Sequence, residues 1–231
     1  MSDEKPSLSP RKEKSPQSES SEVRDEKLQA LLEKLNLQLE GEPGSPSVDG
    51  GKRVHNFWST QPVPQKPDSV VKKDSPIHPD LPFDEIRKEP IDLPNGMHWC
   101  AVDVNSDEEI MELYNLLTEN YVEDVDSMFR FDYSSEFLHW ALKPPGWRKE
   151  WHVGIRYNET GRLIAFISAI PLKLKVRETT KQMVEINFLC VLKNLRKIGL
   201  SPTLIKEVTR RVNLTGTFQA VYTAGIKIPT P

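Results

Sequence analysis

Two observations predict an α/β fold built on a mixed sheet with flanking helices. The hydrophobic period is helical before Leu142, switches to the two-residue alternation of strands after Trp151, and returns to helical only from Pro202 to Val212. That last helix lies between two strand-like runs, which makes a crossover connection within one sheet.

The elements follow in order. Residues 1–53 carry no Phe, Trp or Tyr and are rich in Ser, Pro, Glu and Lys. Such a segment buries too little apolar surface to offset its ordering entropy, so it is expected to be disordered. Within it Leu28, Leu31, Leu32, Leu35 and Leu39 recur at helical spacing below Ser21. They mark a short helix near 25–39, either transient or a docking helix for a partner. At His55 the composition changes: "HNFWSTQPVPQ" brings aromatics and prolines together, and a proline-rich connector runs to Pro94. Asp107 to Tyr121 reads as a helix capped by Ser106, with Ile110, Leu113, Leu117 and Tyr121 on one face. Ser134 or Ser135 starts a second helix through Leu142, ended by "KPPGW". "WHVGIRY", "RLIAFISAI" ending at Pro171, "LKLKV" and "MVEINFLCV" then read as successive strands. Ser201 is the expected cap of the helix that follows, with Pro202 at its first position, and "FQAVYTA" is a final strand.

Composition narrows the function. Acidic residues number 34 and basic ones 31, which argues against a general nucleic-acid partner. There are two cysteines, Cys100 and Cys190, and no Cys/His spacing of a zinc site. Their separation and the lack of an apolar signal segment suggest a reducing, cytoplasmic setting, so the two Asn-x-Thr triplets at Asn158 and Asn213 read as coincidence. No apolar run approaches a membrane span, so no stable membrane insertion is expected.

The chemistry concentrates in "EINFLCVLKNLRKIGLSPTLIKEVTRR", residues 185–211. At a strand-to-helix turn, unpaired backbone N–H groups and the positive end of the helix dipole attract an anion. Lys193, Arg196 and Lys197 add charge, and Gly199 lets the backbone approach closely. The Gly-Lys-Ser/Thr ending of a P-loop is missing, which disfavours a nucleotide triphosphatase.

"RKIGLS" resembles the Arg/Gln-x-x-Gly-x-Gly/Ala loop with which Gcn5-related acetyltransferases hold the pyrophosphate of coenzyme A. Together "FWSTQPVP", "NYVEDVDSMFRFDYSSEFLHWAL", "PPGW", "FISAIP", "VEINFLCV", "IKEVTRRVNL" and "FQAVYTAG" resemble the eukaryotic N-myristoyltransferases, from His55 to Pro231. The resemblance implies a Gcn5-related sheet that is the first of two halves, over residues 54–231. It implies direct transfer of a myristoyl group from myristoyl-CoA, as co-substrate, to the N-terminal glycine of proteins or nascent chains. It implies no permanently held cofactor and no metal. A cytoplasmic location follows, with association to ribosomes or membranes left open.

The resemblance also implies roles for residues. Asn56, Phe57 and Trp58 contact the acyl-CoA, although Phe57 serves equally well as an anchor of the arm. The backbone N–H groups of Phe188 and Leu189, on a bulged strand, form the oxyanion hole. The backbone of Cys190 and Val191 lies beside CoA, and Arg196, Lys197, Gly199, Leu200 and Ser201 meet its phosphates. Val122, Asp124, Asp126, Phe129, Phe131 and Tyr133 receive the peptide, and Thr223 positions the glycine amine. The base in that family is a C-terminal carboxylate at the end of the second half, which a chain ending at Pro231 would lack.

This chain departs from the family pattern. Leu192 replaces a His, Lys197 a Ser and Gly199 an Arg, and Val125 stands where another acid is usual. The backbone cradle is expected to persist while the side-chain clamp weakens. The alternatives are a chain that only binds myristoyl-CoA or a partner, and a generic acetyltransferase.

Overall fold

In a computed structural model, residues 57–62, 75–122 and 132–223 are described, together with residues 30, 48–49 and 52–53. The last four form a small antiparallel ladder, Val48–Asp49 with Lys52–Arg53, inside the stretch expected to lack structure. Asn56, Asp124, Val125, Asp126, Phe129 and Phe131 lie outside the described residues, as does nearly all of the Leu28–Leu39 helix.

The body is a five-stranded mixed sheet with three helices. In chain order it comprises β1 (Met97–Ala101), α1 (Asp107–Asn120), α2 (Ser135–Ala141), β2 (His152–Tyr157), β3 (Leu163–Val176), β4 (Thr179–Val191), α3 (Leu200–Asn213) and β5 (Ala220–Val221). The strands lie side by side in sequence order. β1 to β4 are antiparallel, and β5 runs parallel to β4 after the α3 crossover.

Capping sets two helix starts. The Ser106 hydroxyl accepts from the Glu109 amide at 3.3 Å, and three acidic residues complement the dipole in the first turn of α1. Ser134, rather than Ser135, caps α2, accepting from the Phe137 amide at 3.2 Å. The buried face of α1 adds Leu116 and Asn120 to Ile110, Leu113 and Leu117. β2 is buried on both faces except at Arg156, because β1 and β3 flank it and helices cover it. Gly154 is required there: a Cβ would come within 2.6 Å of Cys100 Sγ.

Four sequence expectations change. β1 was not foreseen, since "MHWCA" is short and its alternation weak. "RLIAFISAI" and "LKLKV" are one strand of 14 residues that runs through Pro171. The register explains this. Pro171 faces Val184, whose N–H points away from β3 to the Gln219 carbonyl at 3.1 Å. The Pro171 nitrogen therefore points to the other side, where β2 has already ended opposite Ser168, and no ladder bond is lost. The expected seven-residue final strand is a two-residue pairing, Ala220–Val221.

The fourth change is at α3. It starts at Leu200 with Gly199 as its cap, in the left-handed conformation at φ 79°, and with no side-chain cap. Ser201 is thus inside the helix and Pro202 is its third residue. Proline fits there because first-turn N–H groups have no partner within the helix.

Candidate active site

β4 carries a bulge where it passes Ile167. Phe166 pairs with Cys190 and Ser168 with Asn187, so two residues, Phe188 and Leu189, oppose one. Phe188 takes a positive φ of 55°, an uncommon conformation for a bulky residue, and its surroundings hold it there. The Ser168 hydroxyl donates to the Asn187 carbonyl at 3.0 Å. The Asn187 side-chain oxygen accepts from the Phe188 N–H at 2.9 Å. The Phe188 ring is buried, edge-on to Tyr133 at 5.6 Å and 6.1 Å from Tyr121.

Downstream of the bulge the chain turns through a 3-10 segment, Lys193–Ile198, before Gly199. Buried Asn120 organises this turn. Its side-chain oxygen accepts from the Lys193 N–H at 3.1 Å and its amide donates to the Leu116 carbonyl at 3.0 Å. The Arg196 guanidinium donates to the Asn120 carbonyl and reaches the Val191 carbonyl at 3.5 Å. Arg196 therefore shapes the turn as well as charging it. Lys193, Arg196, Lys197 and Gly199 are exposed, and the space beside Gly199 is open. The first-turn amides of α3 and these cations form an electropositive rim directly after the bulged strand.

Cys190 is buried, and burial pushes its thiol up to about 12. Its sulfur lies 3.8 Å from the Leu116 carbonyl oxygen. A thiol in this state is no nucleophile at neutral pH. Val191 and Leu192 are core residues, and Leu200 is buried.

From Phe188 an aromatic series runs outward. Tyr133 stacks on Phe137 at 5.0 Å, and Phe137 meets Trp140 at 5.7 Å. Val122 and Thr223 are exposed. Phe57 and Trp58 sit in a short 3-10 turn, their rings edge-on at 5.0 Å. The structure thus joins Tyr133 to Phe188, and Arg196 to Val191. Leu189, Lys197 and Ser201 follow by chain continuity.

Sequence reading missed Asn187, Ser168 and Asn120, which hold the bulge and the turn, and also Glu207. The Glu207 carboxylate is fully buried. It accepts from Arg210 at 2.7 and 2.9 Å, from Arg211 at 2.8 Å and from the Ile91 N–H at 3.0 Å. Burial would raise its pKa, but these hydrogen bonds prevail and hold the carboxyl below its usual range. The "EVTRR" spacing, with arginines three and four residues after the glutamate on one helix, was the available signal. Among the described residues no cluster could hold a metal ion, and no helix is long and apolar enough to cross a membrane.

Comparison with known proteins decides the family. Residues 76–231 match the N-terminal domain of myristoyl-CoA:protein N-myristoyltransferase. The chain belongs to the N-myristoyltransferase family. It is 55% identical over 175 residues to the glycylpeptide N-tetradecanoyltransferase of Drosophila melanogaster, covering 76% of this chain and 37% of that protein. It is 50% identical over 207 residues to glycylpeptide N-tetradecanoyltransferase 2 of Danio rerio, covering 89% and 42% respectively. A crystal structure of Saccharomyces cerevisiae N-myristoyltransferase with bound myristoyl-CoA matches 77% of this chain and 42% of its own, at 50% identity and a TM-score of 0.71. The chain spans less than half the length of these N-myristoyltransferases.

Proposed function

We propose that this chain supplies the acyl-CoA-binding half of a glycylpeptide N-tetradecanoyltransferase. The carrying observation is the bulge at Phe188, at positive φ, placed directly before the basic turn. In this reading the basic turn and the first-turn amides of α3 take the phosphates of myristoyl-CoA. The thioester carbonyl lies at the bulge, where the N–H groups of Phe188 and Leu189 stabilise the oxyanion.

The reaction is direct acyl transfer. The amine nitrogen of an N-terminal glycine attacks the thioester carbon, a C–N bond forms, the C–S bond breaks, and CoA leaves as its thiol. An N-terminal amine has a pKa of about 8, so a mild base suffices. The resemblance assigns that base to a C-terminal carboxylate of a second half, and Cys190 takes no part. Asn187 adds one condition: its side-chain oxygen must release the Phe188 N–H before that donor can meet the thioester oxygen. Asn56, Phe57 and Trp58 would cover the acyl-CoA. Val122, Asp124, Asp126, Phe129, Phe131 and Tyr133 would receive the peptide, and Thr223 the amine. Tyr133, on the outward aromatic series, supports that side as the peptide entrance.

Calorimetric titration of the chain with a non-hydrolysable myristoyl-CoA analogue, alongside mass spectrometry of a Gly-starting peptide incubated with myristoyl-CoA, tests the proposal. Saturable binding that acetyl-CoA does not match supports the acyl-CoA half. A peptide mass gain of one myristoyl group shows turnover by this chain itself. Binding without mass gain identifies a chain that holds the acyl donor only. Preference for acetyl-CoA sinks the reading.

A further inference from the structure

The C-terminal turn of α3 and the segment around Lys149–Trp151 border an open surface cavity of about 400 Å3, lined by Arg148, Glu150, Arg210, Arg211, Leu214 and Thr215 beside Trp151. It lies at the opposite end of α3 from the basic turn, roughly 20 Å away along the helix. Two of its arginines are fixed in advance. Arg210 and Arg211 side chains are 10% and 15% exposed and both bond buried Glu207. Arg211 spends its Nε on Glu207 and its Nη1 on the Glu150 carbonyl at 3.0 Å, which leaves its Nη2 unspent among the described residues. Arg148 is exposed, with its guanidinium over the Trp151 ring at 5.6 Å and no carboxylate partner among the described residues. The Thr215 hydroxyl already donates to the Val212 carbonyl at 2.7 Å. The lining carries three guanidiniums and the Glu150 carboxylate, with buried Glu207 pairing Arg210 and Arg211 from beneath and Glu89 also acting on Arg210.

We propose that this cavity is a binding site for a monocarboxylate carried on an apolar body. The unspent edges of Arg148 and Arg211 take the carboxylate, a pairing that guanidinium forks favour, and Leu214 meets the apolar body. The nearness of Glu150 and Glu89 disfavours a dianion such as a phosphomonoester. The same chemistry could come from a free organic acid or from the C-terminal carboxylate of a polypeptide.

The test is an NMR titration of the 15N-labelled 231-residue chain at constant ionic strength with benzoate, N-acetyl-leucine, neutral benzamide and phenyl phosphate. Saturable shifts at the Leu214 and Thr215 amides and at Arg211 Nε–H are expected with a carboxylate. Arg148→Ser should weaken binding about tenfold while leaving the rest of the spectrum unchanged. Tighter binding of N-acetyl-leucine assigns the polypeptide source, and tighter binding of benzoate assigns the free acid. The proposal is overturned if neither carboxylate saturates, if benzamide binds as well, if phenyl phosphate binds more tightly, or if Arg148→Ser changes nothing.

Discussion

Single residues around the bulge divide into those that supply backbone and those that supply packing. Cys190 belongs to the second group, since its thiol is pushed up to about 12 by burial and carries no thiolate at neutral pH. Cys190→Ala should leave affinity for a non-hydrolysable myristoyl-CoA analogue within about twofold and cost about 1 kcal/mol of stability through lost packing. A loss of affinity beyond about tenfold, read by calorimetry, would give the thiol a role that this account denies it. His152 is a different case. Its ring is fully buried, stacks on Trp147 at 5.5 Å, and neither nitrogen reaches a hydrogen-bond partner among the described residues. Burial outweighs the Leu142 backbone and the nearby Asp103 and Glu150, and lowers its pKa from 6.5 to about 4. Because the folded value is the lower one, the unfolded chain binds the proton first. His152 therefore contributes fully above pH 6.5, and its contribution is lost as pH falls from there through about 4. The loss is about 3 kcal/mol at completion. His152→Phe should remove that part of the slope in denaturation curves between pH 7 and 4; an unchanged slope would place the titration elsewhere.

At the scale of elements, α3 joins two tasks. Its N-terminal end presents the basic turn, and its body anchors the segment 86–93 through Glu207. That segment is tied by the Ile91 N–H on Glu207 at 3.0 Å, by Trp99 Nε1–H donating to the Ile91 carbonyl at 2.7 Å and by Arg210 Nη1 donating to the Lys88 carbonyl at 2.8 Å. Removing the carboxylate leaves two partly buried guanidiniums and an amide without this shared acceptor. Glu207→Ala should therefore cost about 3–5 kcal/mol, with hydrogen-exchange protection of the Ile91 amide lost first. A cost below about 1 kcal/mol would mean that solvent enters the site freely. The turn itself sets stability against charge. Gly199 sits at φ 79° with open space around it, so only the backbone conformation opposes a side chain. The double variant Lys197→Ser, Gly199→Arg should bind the myristoyl-CoA analogue more tightly yet lose about 1 kcal/mol of stability. Affinity equal to the parent chain would contradict the phosphate assignment.

Across the whole molecule, what could be read from the sequence follows from how far apart the determining contacts lie. α1 and α2 were legible because periodicity and capping serines are local. Pro171 misled, since whether a proline breaks a strand depends on where the neighbouring strand ends. β1 was missed because its pairing with β2 joins Trp99 to Ile155, far along the chain. The start of α3 was misplaced by two residues because Ser201 offered a cap that the left-handed Gly199 made unnecessary. The bulge position came from family resemblance; Asn187 and Ser168, which fix it, became visible only with the register known. What unifies these features is the continuity of bulge, basic turn and α3 over residues 187–201. Amide hydrogen exchange and chemical shifts of the chain with and without a non-hydrolysable myristoyl-CoA analogue test that continuity most directly. The account predicts saturable shifts at Phe188, Leu189, Gly199, Leu200 and Ser201 together, with the Phe188 N–H transferred from Asn187 to the ligand. Binding that leaves residues 187–201 unchanged, or no saturable binding at all, would contradict it.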